Sequence, residues 1–277
     1  MNEKPTRPQK TKRSTVSKRH KLSPHEERWK KIALWFCGIF LTLFIGELVF
    51  YLVVWNINDW ASVLLLQIIL IMPAYISNAG MLLFGKGGNP LDKEKVCKDG
   101  NRLFGPGKTL KGLIWGPVFG IVVSLSIHAI FFFTWEGIEN IILAFWGGER
   151  VYILFNSTPE VAVDLFKVYM IGTHWNEKMW MGFIRLFIRV ALVSFGAAGG
   201  DLFGSWLKRR LNKNRGEPVW GLDQLDFIVP AVLISMPFII INLEFIAIFV
   251  FIMIFTPSMA VIANVVSYYT GLKEVPY

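Results

Sequence analysis

Three carboxylates around a basic run offer chemistry that the rest of the chain lacks. Residues 194 to 226 read SFGAAGGDLFGSWLKRRLNKNRGEPVWGLDQLDF: Asp201 stands inside an apolar run, Lys208-Arg209-Arg210 follow, and Asp223 and Asp226 close the stretch. An acid at the edge of a hydrophobic span is costly to place, so it reads as functional by default. Carboxylates hold divalent cations, and lysine and arginine hold phosphates. The pattern therefore suits a metal-nucleotide site at a membrane surface. Asp201, Ser205 and Lys208 fall at i, i+4 and i+7, one helix face, and Asp223 and Asp226 at i, i+3 share another. Lys208 lies about 10 Å along the helix from Asp201, within reach of a triphosphate. Gly196, Gly199 and Gly200 are expected to let a second helix approach and to leave Asp201 on an interior face. The plainer reading makes Asp201 an interfacial cap paired with Arg209 or Arg210, and the basic run a set of membrane anchors.

A second candidate is residues 85 to 112, GKGGNPLDKEKVCKDGNRLFGPGKTLKG. Gly105-Pro106-Gly107-Lys108-Thr109 could present backbone N–H groups and a lysine to phosphate oxygens. It is not a Walker A loop, because Arg102 stands where the first glycine of that motif belongs. The plainer reading is a solvated turn that starts a helix.

The elements that must position these residues are membrane helices. The chain is 53% hydrophobic and 15% aromatic, with a mean hydropathy of +0.46, well above a soluble domain. Six apolar runs approach the length that a bilayer demands: Ile32 to Trp55, Ala61 to Phe84, Gly112 to Thr134, Met181 to Trp206, Phe227 to Ile241 and Phe245 to Tyr268. Residues 1–31 hold 11 Lys and Arg, 85–111 hold 7, 207–226 hold 5, and Lys273 lies in the C-terminal tail. Six crossings place all of these, 24 of the 29 bases, on one side, which makes both termini and the acidic and basic loops cytoplasmic. The net charge of +9 is thus a topology signal, and nucleic-acid binding is not implied. Arg185 and Arg189 are expected to snorkel to the outer surface. Segment 135–180 lies outside and is expected to hold short interfacial helices, with Asn156-Ser157-Thr158 as a glycosylation acceptor pattern. Cys37 and Cys97 form no disulfide framework, and no HExxH is present.

Several segments together carry a family resemblance. They are Met72 to Asn78 (MPAYISN), Asn89 to Asp92, Asp99-Gly100-Asn101-Arg102, Phe104-Gly105 through Lys108-Thr109 with Gly112, Gly200-Asp201-Leu202, Ser205, Lys208-Arg209-Arg210 and Leu222 to Asp226. In this order they resemble the CDP-archaeol synthases, the archaeal branch of the integral-membrane cytidylyltransferases related to CDP-diacylglycerol synthases. The wider signature has an arginine where Gln224 stands here, which removes one base. The resemblance implies an all-α integral membrane protein with about six transmembrane helices: five form the family core and an extra helix precedes them. It divides the chain into a basic tail (1–31), the extra helix (32–55) and the enzyme domain (56–277).

The implied reaction is transfer of the cytidylyl group of CTP to an archaeal ether-lipid phosphate, releasing pyrophosphate, in membrane lipids. The implied metal is Mg²⁺ on Asp201 and Asp223, with Asp226 as a further ligand, and Lys208 shares the catalytic role. The implied nucleotide-binding residues are Asn78, Arg102, Gly105, Gly107, Lys108, Thr109, Ser205 and Arg209. A homodimer is compatible with the sequence. Helix one and the tail carry none of the pattern, so a chain that starts near Asn56 is expected to keep the chemistry. The rival readings are a CDP-alcohol phosphotransferase, whose GxxxDxxxD continuation after Asp99-Gly100 is missing, and a transporter or lipid-binding scaffold, which would put polar residues near mid-membrane.

Overall fold

The structure is a computed structural model that describes residues 23–54, 57–146, 159–172, 177–213, 217–238 and 243–270. The acceptor pattern at 156–158, the tail 1–22 and Lys273 lie outside them. The described residues form helices and no strands. In order they are α1 (Pro24–Val54), α2 (Ile57–Gly85), α3 (Leu110–Phe133), α4 (Trp135–Trp146), α5 (Pro159–Ile171), α6 (Met179–Arg210), α7 (Leu222–Leu225), α8 (Ile228–Ser235) and α9 (Leu243–Tyr269). Five of them, α1, α2, α3, α6 and α9, are long and apolar enough to cross a membrane.

The fifth expected run, Phe227 to Ile241, is not one long helix. It divides into α8 and a 3₁₀ turn over Met236–Phe238. Pro230 is tolerated in the first turn of α8, but Pro237 supplies no N–H to continue the helix.

Glycines set how closely the helices pack. Gly112, Gly116 and Gly120 form a ridge on α3 with spacing of four. A Cβ on Gly116 would lie 2.8 Å from the backbone nitrogen of Met81, so α2 and α3 meet backbone to backbone. α6 carries a second ridge, Gly196, Gly200 and Gly204. A Cβ on Gly196 would lie 2.8 Å from Cα of Ala231 in α8. Gly199, expected on that face, is exposed with nothing within 4 Å of its Cβ position. The core between these helices is aliphatic and aromatic, including Leu66, Leu70, Phe166, Ile228, Ile248 and Phe251.

The end of the bundle away from the acidic residues is fastened by two arginines. Arg189 is 4% exposed and donates to the carbonyls of Val168 at 3.3 Å and Tyr169 at 2.5 Å, in the last turn of α5. Arg185 pairs with Glu177 and donates to the carbonyl of Gly172 at 3.3 Å. Gly172 has φ +82° and ends α5 by donating to the carbonyls of Lys167 and Val168. The expected snorkelling does not occur, because the exposed carbonyls of a helix C-terminus take the guanidinium groups instead.

Candidate active site

The segment between α2 and α3 folds on itself before it meets α6. Antiparallel bridges join Pro90 to Thr109 and Val96 to Arg102. Asp92 is the centre of this loop. Its carboxylate accepts from Arg102 Nη2 at 2.6 Å and Nε at 3.2 Å, and from the backbone N–H groups of Glu94 at 3.0 Å and Phe104 at 3.2 Å. These donors, the Arg102 side chain foremost, hold the Asp92 carboxyl below the usual carboxylate range. Arg102, singled out as a nucleotide ligand, thus spends its guanidinium on the loop itself.

The same loop is tied to the C-terminal end of α6. Arg210 donates to Asp99 at 2.8 Å and to the carbonyl of Arg102 at 2.7 Å. Asn101 donates to the side chain of Asn212 at 2.7 Å. The turn from Gly105 to Lys108 closes with a 3.0 Å backbone bond, and Leu91 donates to the carbonyl of Lys108 at 2.7 Å. Thr109 then caps α3, accepting from the backbone N–H of Gly112 at 3.2 Å.

This scaffold delivers Lys108 to Asp201. The lysine Nζ lies 2.6 and 2.5 Å from the two carboxylate oxygens. A second pair stands beside it: Lys208 Nζ lies 2.5 Å from Asp223 Oδ1, and Asp223 Oδ2 accepts from the backbone N–H of Val219 at 3.2 Å. The cap pairing weighed for Asp201 does not form, since Arg210 goes to Asp99 and Arg209 donates to the carbonyl of Lys213 at 2.5 Å. Arg209 still reaches the site, because its Nη2 is 3.8 Å from where a Cβ of Gly105 would stand.

Asp226 completes the acidic set. It follows α7 and lies outside the five membrane-crossing helices. Gly200 and Gly204 make room for it: a Cβ on Gly204 would lie 2.5 Å from Asp226 Oδ2, and the Asp226 carbonyl oxygen crowds Gly200 closer still. Burial first, and then the nearby Asp201 carboxylate, push the Asp226 carboxyl up to about 8, against the pull of Lys208 and Lys108. Gly204 escaped the sequence reading, although its spacing of four from Gly200 was the available signal. Ser205 is half-buried on α6.

A narrow pocket of about 60 Å³ opens between α2, the glycine turn and α6, lined among others by Asn78, Gly107, Lys108, Thr109 and Asp201. It has room for a few waters and not for a whole nucleotide.

The donor chemistry fits Mg²⁺. Among the described residues no three His, Cys, Asp or Glu side chains form a ready metal cage. Mg²⁺ needs none, since it takes one or two carboxylates and completes its shell with water and phosphate oxygens. Asp201 and Asp223 each already hold a cationic nitrogen.

Comparison with known proteins gives the same site a lineage. The model of the family described as CarS-like, CDP-archaeol synthase, matches residues 60–147 and 164–277. The chain belongs to the CDP-archaeol synthase family. CDP-archaeol synthase from Thermococcus gammatolerans is 33% identical over 207 residues, covering 75% of this chain and 92% of the relative. That of Thermococcus kodakarensis is 32% identical over 219 residues, 79% of this chain and 99% of the relative. That of Methanoculleus marisnigri is 31% identical over 209 residues, 74% of this chain and 99% of the relative. A solved structure, described as an intramembrane enzyme for archaeal membrane lipids biosynthesis, is 25% identical and covers 74% of this chain and 92% of its own, with a TM-score of 0.41. All the candidate site residues, Asn78 to Asp226, fall inside the span that the family matches.

Proposed function

We propose that the chain is a CTP-dependent cytidylyltransferase that makes CDP-archaeol. A phosphate oxygen of the ether-lipid phosphate attacks the α-phosphorus of CTP, the bond from that phosphorus to the bridging oxygen breaks, and pyrophosphate leaves. The observation that carries the reading is the double pairing Lys108–Asp201 and Lys208–Asp223 around a half-buried Asp226. Transfer at phosphorus needs positioning and charge neutralisation rather than a covalent nucleophile, and clustered lysines and carboxylates supply both.

In this reading the lysines exchange partners. Phosphate oxygens of CTP compete with Asp201 for Lys108 and with Asp223 for Lys208, and Arg209 lies beside the glycine turn to join them. The N-terminus of α3, capped by Thr109, presents its dipole to the same phosphates. Asn78 lines the pocket, Ser205 follows Asp201 by one turn of α6, and Arg102 acts through the loop that it braces. Asp201 and Asp223 are the residues that would hold Mg²⁺, with Asp226 beside them; when bound, the ion neutralises phosphate charge. Because the pocket is narrow, the turn Gly105 to Thr109 must open to admit the nucleotide and close over it.

The site faces the cytoplasm, where CTP is found. The excess of bases in 1–31, 85–111 and 207–226 supports that orientation. Incubating the purified protein with labelled CTP, Mg²⁺ and ether- or ester-linked lipid phosphates tests the reading. A CDP-lipid and pyrophosphate are expected, with preference for the ether lipid. Consumption of a CDP-lipid would point to the phosphotransferase instead, and no turnover to a scaffold.

A further inference from the structure

Helix α1 lies outside the family-matched span, which starts at residue 60. The Methanoculleus relative spends 99% of its length on 74% of this chain, which leaves it no counterpart for the rest. From the sequence alone α1 is an anchor that the chemistry does not need. Its contacts point elsewhere.

Trp29 and Phe36 stand seven residues apart, so they share one face of α1 about 10 Å apart along its axis. Both meet the segment that links α6 to α7. The Lys213 ammonium sits over the Trp29 ring at 5.6 Å from its centre. Phe36 stacks on Trp220 with ring centres 4.6 Å apart and planes 13° apart. The Trp220 indole N–H is buried and has no hydrogen-bond partner among the described residues, so stacking rather than hydrogen bonding sets this ring.

The two clamped residues are each one step from the site. The Lys213 carbonyl accepts from Arg209 Nη1 at 2.5 Å, and Arg209 borders Gly105. Trp220 precedes Asp223 by three residues, and the backbone N–H of Val219, the residue just before Trp220, donates to Asp223 Oδ2. α1 is itself fixed, since Ser258 of α9 donates to the carbonyl of Phe40 at 3.1 Å and Lys30 to the Tyr268 hydroxyl at 3.3 Å.

We infer that Trp29 and Phe36 are positioning residues of the nucleotide site: α1 clamps both ends of the α6–α7 segment and so holds Arg209 against the glycine turn and Asp223 against Lys208. The inference rests on the cytidylyltransferase reading of that site. It assigns a part in catalysis to a helix that lies outside the family-matched span.

The test uses the full chain in detergent. Phe36→Ala and Trp29→Ala are compared with Phe44→Ala, which loses a ring contact from α1 to Phe255 of α9 rather than to the segment. Loss of an aromatic contact of this kind corresponds to about tenfold in kcat/KM for CTP. The KM for the lipid phosphate is expected to hold, and Phe36→Tyr to restore the CTP value. Lys213→Ala removes the Trp29 contact from the loop side without touching α1, and adding it to Trp29→Ala is expected to cost nothing more. Trypsin cleavage within 211–221 is read on the α1 variants and is expected to quicken in Phe36→Ala and Trp29→Ala but not in Phe44→Ala. That readout does not depend on turnover, so an inactive wild type would count against the proposed function and not against the clamp. Unchanged CTP kinetics and cleavage in Phe36→Ala and Trp29→Ala, or changes no larger than those of Phe44→Ala, would overturn the inference.

Discussion

Asp226 occupies the space that a side chain at position 204 would need. A Cβ on Gly204 would stand 2.5 Å from its Oδ2 and 2.7 Å from its Cβ. Backbone and carboxylate of Asp226 therefore rest on α6 only because Gly200 and Gly204 carry nothing. Gly204→Ala must push Asp226 away, and overpacking of this kind costs about 1–3 kcal/mol. Both CTP turnover and thermal stability are expected to fall. Gly199→Ala, on the open face, is the matched control and is expected to change neither. Normal turnover and melting in Gly204→Ala would show that Asp226 does not pack there.

Lys108→Ala tests whether the glycine turn binds nucleotide. A solvated turn would tolerate the change. If Lys108 leaves Asp201 for a phosphate, its loss removes a charge-assisted hydrogen bond worth about 1.5–3 kcal/mol, hence roughly tenfold or more in the CTP dissociation constant. Part of that loss is offset, because the wild-type lysine must first give up Asp201. Equilibrium binding of CTP and of lipid phosphate to the same variant separates the readings. The lipid affinity is expected to move less.

Much of this site was legible because charge at a membrane edge has few innocent uses. Asp201, Lys208 and Asp223 stand out by type and spacing alone. What stayed hidden needed partners from far along the chain. Asp201 pairs with a lysine 93 residues away, whereas sequence reading looked for its partner on the same helix. Gly199 points to open space and Gly204 to Asp226, because the phase of a helix toward its neighbour depends on packing that periodicity does not encode. Arg185 and Arg189 looked like outer-surface anchors, since hydropathy cannot show that the C-terminus of α5 lies beside them. The fifth run read as a span by composition, yet Pro237 and a 3₁₀ turn cut its helix short. The role of α1 was invisible for the opposite reason: its contacts are aromatic, and an aromatic residue in a membrane helix carries no signal of what it touches.

Asp201→Asn and Asp223→Asn keep shape and remove charge. Each is expected to lower turnover by orders of magnitude while the protein stays folded, because Lys108 or Lys208 loses its partner and Mg²⁺ loses a carboxylate. Titrating Mg²⁺ into each variant distinguishes the two losses. A raised metal requirement with recovery at high Mg²⁺ marks a ligand, and no recovery marks a group that positions the lysine. Near-full turnover of Asp201→Asn with the wild-type Mg²⁺ requirement would remove Asp201 from the site.

The opposite end of the bundle offers a variant that separates folding from chemistry. Arg189 is 4% exposed and donates to the carbonyl of Tyr169 at 2.5 Å and to that of Val168 at 3.3 Å, the latter shared with the backbone N–H of Gly172. Arg189→Met keeps most of the side-chain volume and removes both bonds. Val168 keeps the Gly172 N–H, but the Tyr169 carbonyl loses its short bond, and an unmet buried carbonyl costs about 1–3 kcal/mol, so the melting temperature is expected to drop by several degrees. The paired lysines and carboxylates sit at the other end of α6, and the CTP dissociation constant of the folded fraction should not move. A lowered melting temperature with unchanged CTP binding establishes Arg189 as a structural fastener of α5. An unchanged melting temperature would mean that water reaches those carbonyls and that α5 is not held by α6 as described.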